Sequence, residues 1–292
     1  MKVAVIGGTG KLGFPVAAGL QAAGMEVSIV TRNALQAEHK IGRLFNYIEC
    51  DVNDPSNLTQ KLAGFDAVHI NLSGINELQC KLTIAQGTEN IVQACKANNI
   101  TLISFISGTT VNEHNTDFYD TKSKYQAEQS IIACGIPYLI FCPSWFMESL
   151  PQFVQEKRAS VFGPASQPIH WVAVCDYVQQ VVNAYQDINV RNKRLYVHGP
   201  QAISLKGALA QYLNAMQTPL TVTHTPHWMA GILEWLTGDN SIKYASDLCK
   251  YFEDVGESGD PAPSNALVGS PSTQLSQWCQ QRFNQEKLVQ AV

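Results

Sequence analysis

The sequence has no run of lysine and arginine, no Cys-x-x-Cys pair and no apolar stretch of bilayer-spanning length, and each absence removes a class of function. Charged residues make up only 15% of the 292 residues and leave a formal net charge of -4. No basic field draws a phosphodiester backbone, so nucleic acid is not an expected partner. The eight cysteines, at positions 50, 80, 95, 134, 142, 175, 249 and 279, are scattered and several fall inside apolar runs, which reads as reduced core thiols. The longest apolar stretch, Trp228 to Leu236, contains Glu234 and is too short for a membrane span. An apolar strand pattern starts at Val3 and leaves no space for a leader peptide, so a cytoplasmic location with no membrane partner is the expectation.

What is present is concentrated at the start of the chain. Val3-Ala4-Val5-Ile6 reads as a buried parallel strand and runs directly into glycines at positions 7, 10 and 13. Gly7 allows a sharp turn, Gly10 lets main chain approach a pyrophosphate, and Gly13 lets the next helix pack closely on the sheet. That helix is expected from about Lys11 to Ala23, with Leu12, Val16 and Leu20 as its apolar stripe. Its free N–H groups and macrodipole favour an anion. Thr9, Lys11 and Leu12 therefore join the three glycines as cofactor-binding candidates. A strand before, a helix after and a second strand at Val27 to Val30 are the setting that this dinucleotide fingerprint requires.

Strand-length apolar runs recur at Phe45 to Ile48, Ala67 to Asn71, Thr101 to Ile106 and Tyr138 to Phe141, with helical patterns between most of them. This alternation predicts an α/β fold, a parallel sheet wound by helices on both faces. Val172 to Val174 and Arg194 to His198 read as two further short segments. Residues 256–264 read as a loop, and a closing helix is expected after a cap at Ser272 or Thr273.

Strand two ends in Thr31-Arg32-Asn33, where such a fold reads the adenosine ribose. Arg32 offers a guanidinium for a 2′-phosphate, which favours NADP, with NAD as the alternative. Asp51 and Val52 stand after strand three, where a carboxylate and a backbone N–H reach adenine; a turn role for Asp51 is the competing reading. Asn71, Leu72 and Ser73 end strand four beneath the cofactor's expected ribose. His224 and His227 are separated by Pro226, which spoils a helical metal-ligand spacing, and no metal is expected. His170 precedes a short strand and helix and reads either as reaching the cleft or as a hydrogen-bonded lid residue, and Asp176 is expected to cap the helix it begins.

Ser107-Gly108 ends strand five, and Lys122-Ser123-Lys124-Tyr125 follows about a helix later. With the N-terminal glycines, Asn71 to Gly74, Ile136-Pro137-Tyr138, Pro143 with Trp145-Phe146-Met147, and His170 to Val178, the chain resembles the short-chain dehydrogenase/reductase superfamily in its atypical NmrA-like, isoflavone-reductase-like branch. The resemblance implies a Rossmann-type sheet with a small C-terminal substrate lobe. Residues 1–147 would form the NAD(P)-binding core, completed by 169–200, and 148–168 with 201–292 the lobe. It implies catalytic roles for Ser107 and Lys124 and cofactor contacts from Ser107, Lys124, Pro143, Trp145 and Phe146. Catalytic members carry tyrosine four residues before the lysine, where this chain has Asp120; Tyr119 lies one residue away, about 100° around a helix. Members also commonly carry arginine before the proline, and here the residue is Cys142.

These readings lead to an NAD(P)(H)-binding oxidoreductase, an NADPH-dependent reductase of a small organic carbonyl or activated double bond. The alternative is a non-catalytic NAD(P) sensor of the NmrA type, which requires a protein partner. A nucleotide-sugar epimerase or dehydratase ranks lower, because it needs the tyrosine.

Overall fold

In the computed structural model, which describes residues 1–155, 158–239 and 241–290, strands and helices alternate through the first half of the chain. They are β1 (Lys2–Ile6), α1 (Gly13–Ala22), β2 (Glu26–Thr31), α2 (Ala34–Ile41), β3 (Asn46–Glu49), α3 (Pro55–Lys61) and β4 (Ala67–Ile70). A continuous helical segment follows: α4 (Glu77–Gln79), a π-helical stretch Cys80–Gln86 and α5 (Gly87–Ala97). Next come β5 (Leu102–Ile106), α6 (Tyr119–Ala133) and β6 (Tyr138–Pro143). Short β7 (Val154–Gln155), β8 (Arg158–Phe162) and β9 (Pro168–His170) lead to α7 (Val174–Gln186) and β10 (Lys193–Val197). The remainder is β11 (Ala202–Ser204), α8 (Leu205–Ala215), β12 (Val222–Thr225), α9 (Met229–Thr237), α10 (Ser241–Val255), α11 (Ala262–Val268) and α12 (Leu275–Gln290).

Seven strands form one parallel sheet in the order β10-β6-β5-β4-β1-β2-β3. Along β1 the side chains alternate faces, as a pleat requires: Val3 and Val5 enter one apolar core, Ala4 and Ile6 the other. A third core gathers Trp171, Leu209, Phe252 and Trp278 from the second half of the chain. Strand order reverses between β1 and β4, and the crevice outside their carboxyl ends is where such sheets take ligands.

Four local expectations change. Within Val172 to Val174 only a single bridge forms, between Val172 and Phe146, and Val174 already begins α7. Asp176 does not cap its own helix. Its carboxylate accepts from the backbone N–H groups of Ser272 and Thr273, while Glu148 takes the N–H of Val174 at 3.1 Å. Ser272 and Thr273 are thereby committed elsewhere, and Gln274 starts the closing helix, accepting from the Trp278 N–H. For the two caps, a partner far along the chain takes the place of the local one. Residues 256–264 are only partly loop, since α11 starts at Ala262. Cys175 is exposed and Cys134 half-buried, and the other six cysteines are buried and free. No helix among the described residues is long and apolar enough to cross a membrane.

Candidate active site

The turn after β1 is built as the spacing predicts. Gly7 has φ of +78°, and a Cβ there would stand 2.0 Å from the Asn71 carbonyl oxygen. A Cβ on Gly13 would stand 2.3 Å from the Gly7 oxygen. These two glycines let the loop, β4 and α1 touch backbone to backbone. Gly10 differs, because a Cβ there would meet a single atom, the Gly7 oxygen at 3.3 Å, and otherwise open space. Leu12 occupies the N-cap of α1 and supplies no capping side chain, whereas Asn33, Asp54 and Ser204 cap α2, α3 and α8. An uncapped helix start beneath an open glycine leaves N–H groups and space that favour an anion. Lys11 is exposed beside it, and Thr9 offers its carbonyl to the Lys40 Nζ at 3.3 Å. Lys40 carries no motif; only the placement of α2 brings it to the loop.

At the adenosine end Arg32 is exposed, and its guanidinium stands unpaired among the described residues. Asp51 is also exposed, and its Oδ1 accepts from the Asn53 N–H at 2.8 Å, a local turn bond. Val52 is buried, and its carbonyl holds the Asn90 side chain at 2.9 Å. Asn71 extends the β4 ladder by donating its N–H to the Ile6 carbonyl at 2.9 Å. Leu72 and Ser73 follow at the carboxyl edge, half-buried and exposed respectively.

The opposite end of the cleft is paired throughout. The Ser107 hydroxyl donates to buried Glu128, which also faces Arg194 from β10 with Nε 2.9 Å away. Arg194 in turn donates to the Val111 carbonyl at 2.8 Å. Arginine thus reaches this site from the strand beside Cys142, and Arg194 opposes the burial that pushes the Cys142 thiol up to about 12. On α6, Lys124 Nζ lies 2.9 Å from Asp120, whose side chain is 8% exposed. Burial pulls the Lys124 ammonium down, but Asp120 more than offsets it, and Lys124 rests above its ordinary value. Cys80 lies against Asp120 and is pushed up to about 12 by burial and that charge. Tyr119 is raised by burial, with Asp247, Cys80 and Asp120 adding to it. From α10, Tyr244 comes to 6.4 Å from the Tyr119 ring, and Tyr251 stacks on Phe118 at 5.0 Å.

Pro143 ends β6, with its carbonyl accepting from the Thr109 N–H at 3.1 Å. Trp145 packs edge-on against Trp171 and Phe252 at 5.9 and 5.3 Å, beside a cavity of only about 10 Å³. Phe146 meets Tyr177 edge-on at 5.4 Å. Glycine loop, Arg32, Asn71, Ser107 and Pro143 thus all stand at the carboxyl edge of the sheet. Sequence reasoning missed Lys40, Glu128 and Arg194; Lys40 and Arg194 reach the site from elements remote in sequence, and Glu128 lies one turn beyond Lys124 on α6.

Comparison with known proteins agrees with this geometry. The chain is 22% identical over 206 residues, 69% of each protein, to an NAD(P)H azoreductase of Xenophilus azovorans. Its structure is similar to that of an NADPH-dependent quinone oxidoreductase of Escherichia coli in complex with NADPH, with a TM-score of 0.76 and 19% identity. It is equally similar to Citrobacter sp. triphenylmethane reductase in complex with NADP(H), with a TM-score of 0.76 and 18% identity. Each alignment covers 97% of this chain and 100% of the other. Residues 7–167 match the model of an NAD(P)H-binding family, and the chain, a Rossmann-type NAD(P)H-binding protein of reductase-like kind, belongs to that family.

Proposed function

We propose that this protein is an NADPH-dependent reductase of a small conjugated organic acceptor, an activated double bond or a quinone-like carbonyl. The observation that carries the reading is the contrast within one cleft: the nucleotide end is open and unpaired, and the reaction end is closed by ion pairs. Bound NADPH would supply the hydride. The α1 N-terminus and the open face of Gly10 would hold its diphosphate, and Arg32 would pair with its 2′-phosphate. Lys124, kept charged by Asp120, would hold the ribose hydroxyls, and Pro143, Trp145 and Phe146 would border the nicotinamide. Residues 1–147 with 169–200 form the cofactor half of this reading, and 148–168 with 201–292 the acceptor half.

The acceptor class is suggested by the relatives and fits the residues at the family's catalytic positions. An isolated ketone becomes a strongly basic alkoxide on accepting hydride and needs a matched acid in the transition state. Of the residues at the family's catalytic positions, Lys124 is held above its ordinary value, Asp120 replaces the tyrosine, and the Ser107 hydroxyl already donates its hydrogen bond to Glu128, so none of the three supplies that acid. A conjugated acceptor becomes a delocalised anion that asks less of the enzyme. The azo, quinone and triphenylmethane compounds in the relatives' names share that delocalisation.

A second reading, a nucleotide sensor without turnover, is favoured by the tight packing of Trp145 against Phe252 of α10. Titration with NADPH and NADH, read by nicotinamide fluorescence, comes first, followed by a panel of quinones, enones and saturated ketones. NADPH should bind about tenfold tighter than NADH, and Arg32→Ala should abolish the difference. Quinones or enones should then be reduced ahead of saturated ketones. Binding without turnover of any acceptor would replace the reductase with the sensor.

A further inference from the structure

His170 ends β9 and is bonded to the loop between α10 and α11. Its Nδ1 lies 2.6 Å from Glu257 Oε2, and its backbone N–H donates to Glu257 Oε1 at 3.0 Å. The same carboxylate accepts from the hydroxyl of Ser144, the residue that follows β6. Glu257 is 9% exposed, and the His170 side chain is 39% exposed with Nε2 unpartnered among the described residues. His198, at the end of β10, stacks on His170 with ring centroids 5.1 Å apart, and is held below its ordinary value by burial first and by His170 in part. Next to Glu257, the Ser258 hydroxyl donates to the carbonyl of Thr109, two residues beyond Ser107.

These contacts put one short strap, Glu257-Ser258, across the carboxyl ends of β5, β6 and β10. That is the sheet edge where Ser107 and Pro143 stand, and the Val172 N–H bonds the Trp145 carbonyl alongside it at 2.9 Å. Ligand atoms of His170, His198 and Glu257 also lie within 4.8 Å of one another. Both Glu257 oxygens, however, are already engaged by Ser144 and by His170 itself. A carboxylate on Nδ1 fixes the imidazole's orientation and tautomer and leaves Nε2 to face a reactant, the geometry of a general acid–base pair.

We propose that His170, oriented by Glu257, is the proton donor of this cleft, in place of the tyrosine that Asp120 displaces. The proposal rests on the reductase reading. The acceptor gains a hydride from NADPH at one carbon, and the anion left on its conjugated oxygen takes the proton from His170 Nε2. NADP⁺ and neutral imidazole remain, and solvent restores the proton. Glu257 is a positioning residue and does not itself give up a proton.

The test compares wild type, His170→Gln and Glu257→Gln with a naphthoquinone as acceptor. His170→Gln should lower kcat about a hundredfold, the scale of general acid catalysis, with NADPH affinity within a factor of two. Imidazole added to His170→Ala should restore part of the loss. A readout apart from turnover is the ¹⁵N spectrum of histidine-labelled protein without nucleotide. The signal missing from His170→Gln should show Nδ1 protonated in wild type, and Glu257→Gln should shift it toward mixed tautomers. An unchanged kcat in His170→Gln, or a mixed tautomer already in wild type, would overturn the dyad while leaving the reductase standing. If wild type binds NADPH but reduces no acceptor, the reductase reading falls, and the donor role falls with it.

Discussion

The two ends of the cleft are built on opposite principles. Around the glycine loop the start of α1 has no capping side chain, and Lys11 and Arg32 are exposed, the Arg32 guanidinium without a partner among the described residues. At the other end Ser107, Glu128, Arg194, Asp120 and Lys124 satisfy one another before any ligand arrives. An open end gains affinity from each group a nucleotide pairs. A closed end gains less, because most of its donors and acceptors already have partners, and so it is suited more to rigid placement than to binding energy.

The largest expected effect breaks the open end alone. Gly13→Val places side-chain atoms where the Gly7 oxygen lies 2.3 Å and the Asn71 side chain 2.7 Å from a Cβ. The loop must shift away from α1, and NADPH affinity should fall at least about a hundredfold in a fluorescence titration, since the diphosphate seat is lost. Far-ultraviolet circular dichroism should stay close to wild type. Retained affinity would mean that the nucleotide is not held by this turn.

Lys124→Met attacks the closed end and should act on stability. It strands the Asp120 carboxylate, 8% exposed, beside Cys80, and removal of one partner of a buried pair costs about 3–5 kcal/mol. Adding Asp120→Asn to the same chain should recover most of that loss in urea unfolding. Arg32→Ala, at an exposed and unpaired position, should stay within about 0.5 kcal/mol of wild type. Equal costs for Lys124→Met and Arg32→Ala would erase the distinction between the two ends.

The same distinction explains what was legible in the sequence. The open end is local: strand, glycines and helix are contiguous, and their spacing alone carries the turn geometry and a helix expected from about Lys11, which starts at Gly13. Arg32 likewise lies one residue beyond its strand. Apart from Asp120 with Lys124, one turn apart on α6, the closed end is made of pairs distant in the chain, Ser107 with Glu128, Glu128 with Arg194, and His170 with Glu257, and no local periodicity encodes them. Asp176 is the clearest example. Its position reads as a helix cap, yet it holds the amides of Ser272 and Thr273, 96 and 97 residues away. Cys142 shows the same limit, because the charge missing from its own strand comes from Arg194 on the next.

The smallest effect concerns β4, the strand shared by the two ends, and it is a pH effect. His69 is fully buried, bonded through Nδ1 to Ser104 Oγ at 2.8 Å, and burial pulls its pKa from 6.5 down to about 3. The folded protein therefore keeps His69 neutral where an unfolded chain binds a proton. A lowered folded value means that its contribution is complete above about pH 6.5 and is lost as pH falls from there toward about 3. Each unit below 6.5 should remove up to about 1.4 kcal/mol. His69→Asn can still bond Ser104 but takes up no proton, so its stability deficit against wild type should be largest at pH 7 and shrink by about that amount per unit in urea unfolding below 6.5. Since Asn71, two residues on, lies under the glycine loop, acid should release NADPH together with the fold, whereas Gly13→Val separates the two. A deficit that stays constant from pH 7 to 4 would mean that His69 takes up its proton without opening the sheet, and that the two ends do not share this strand as a common weak point.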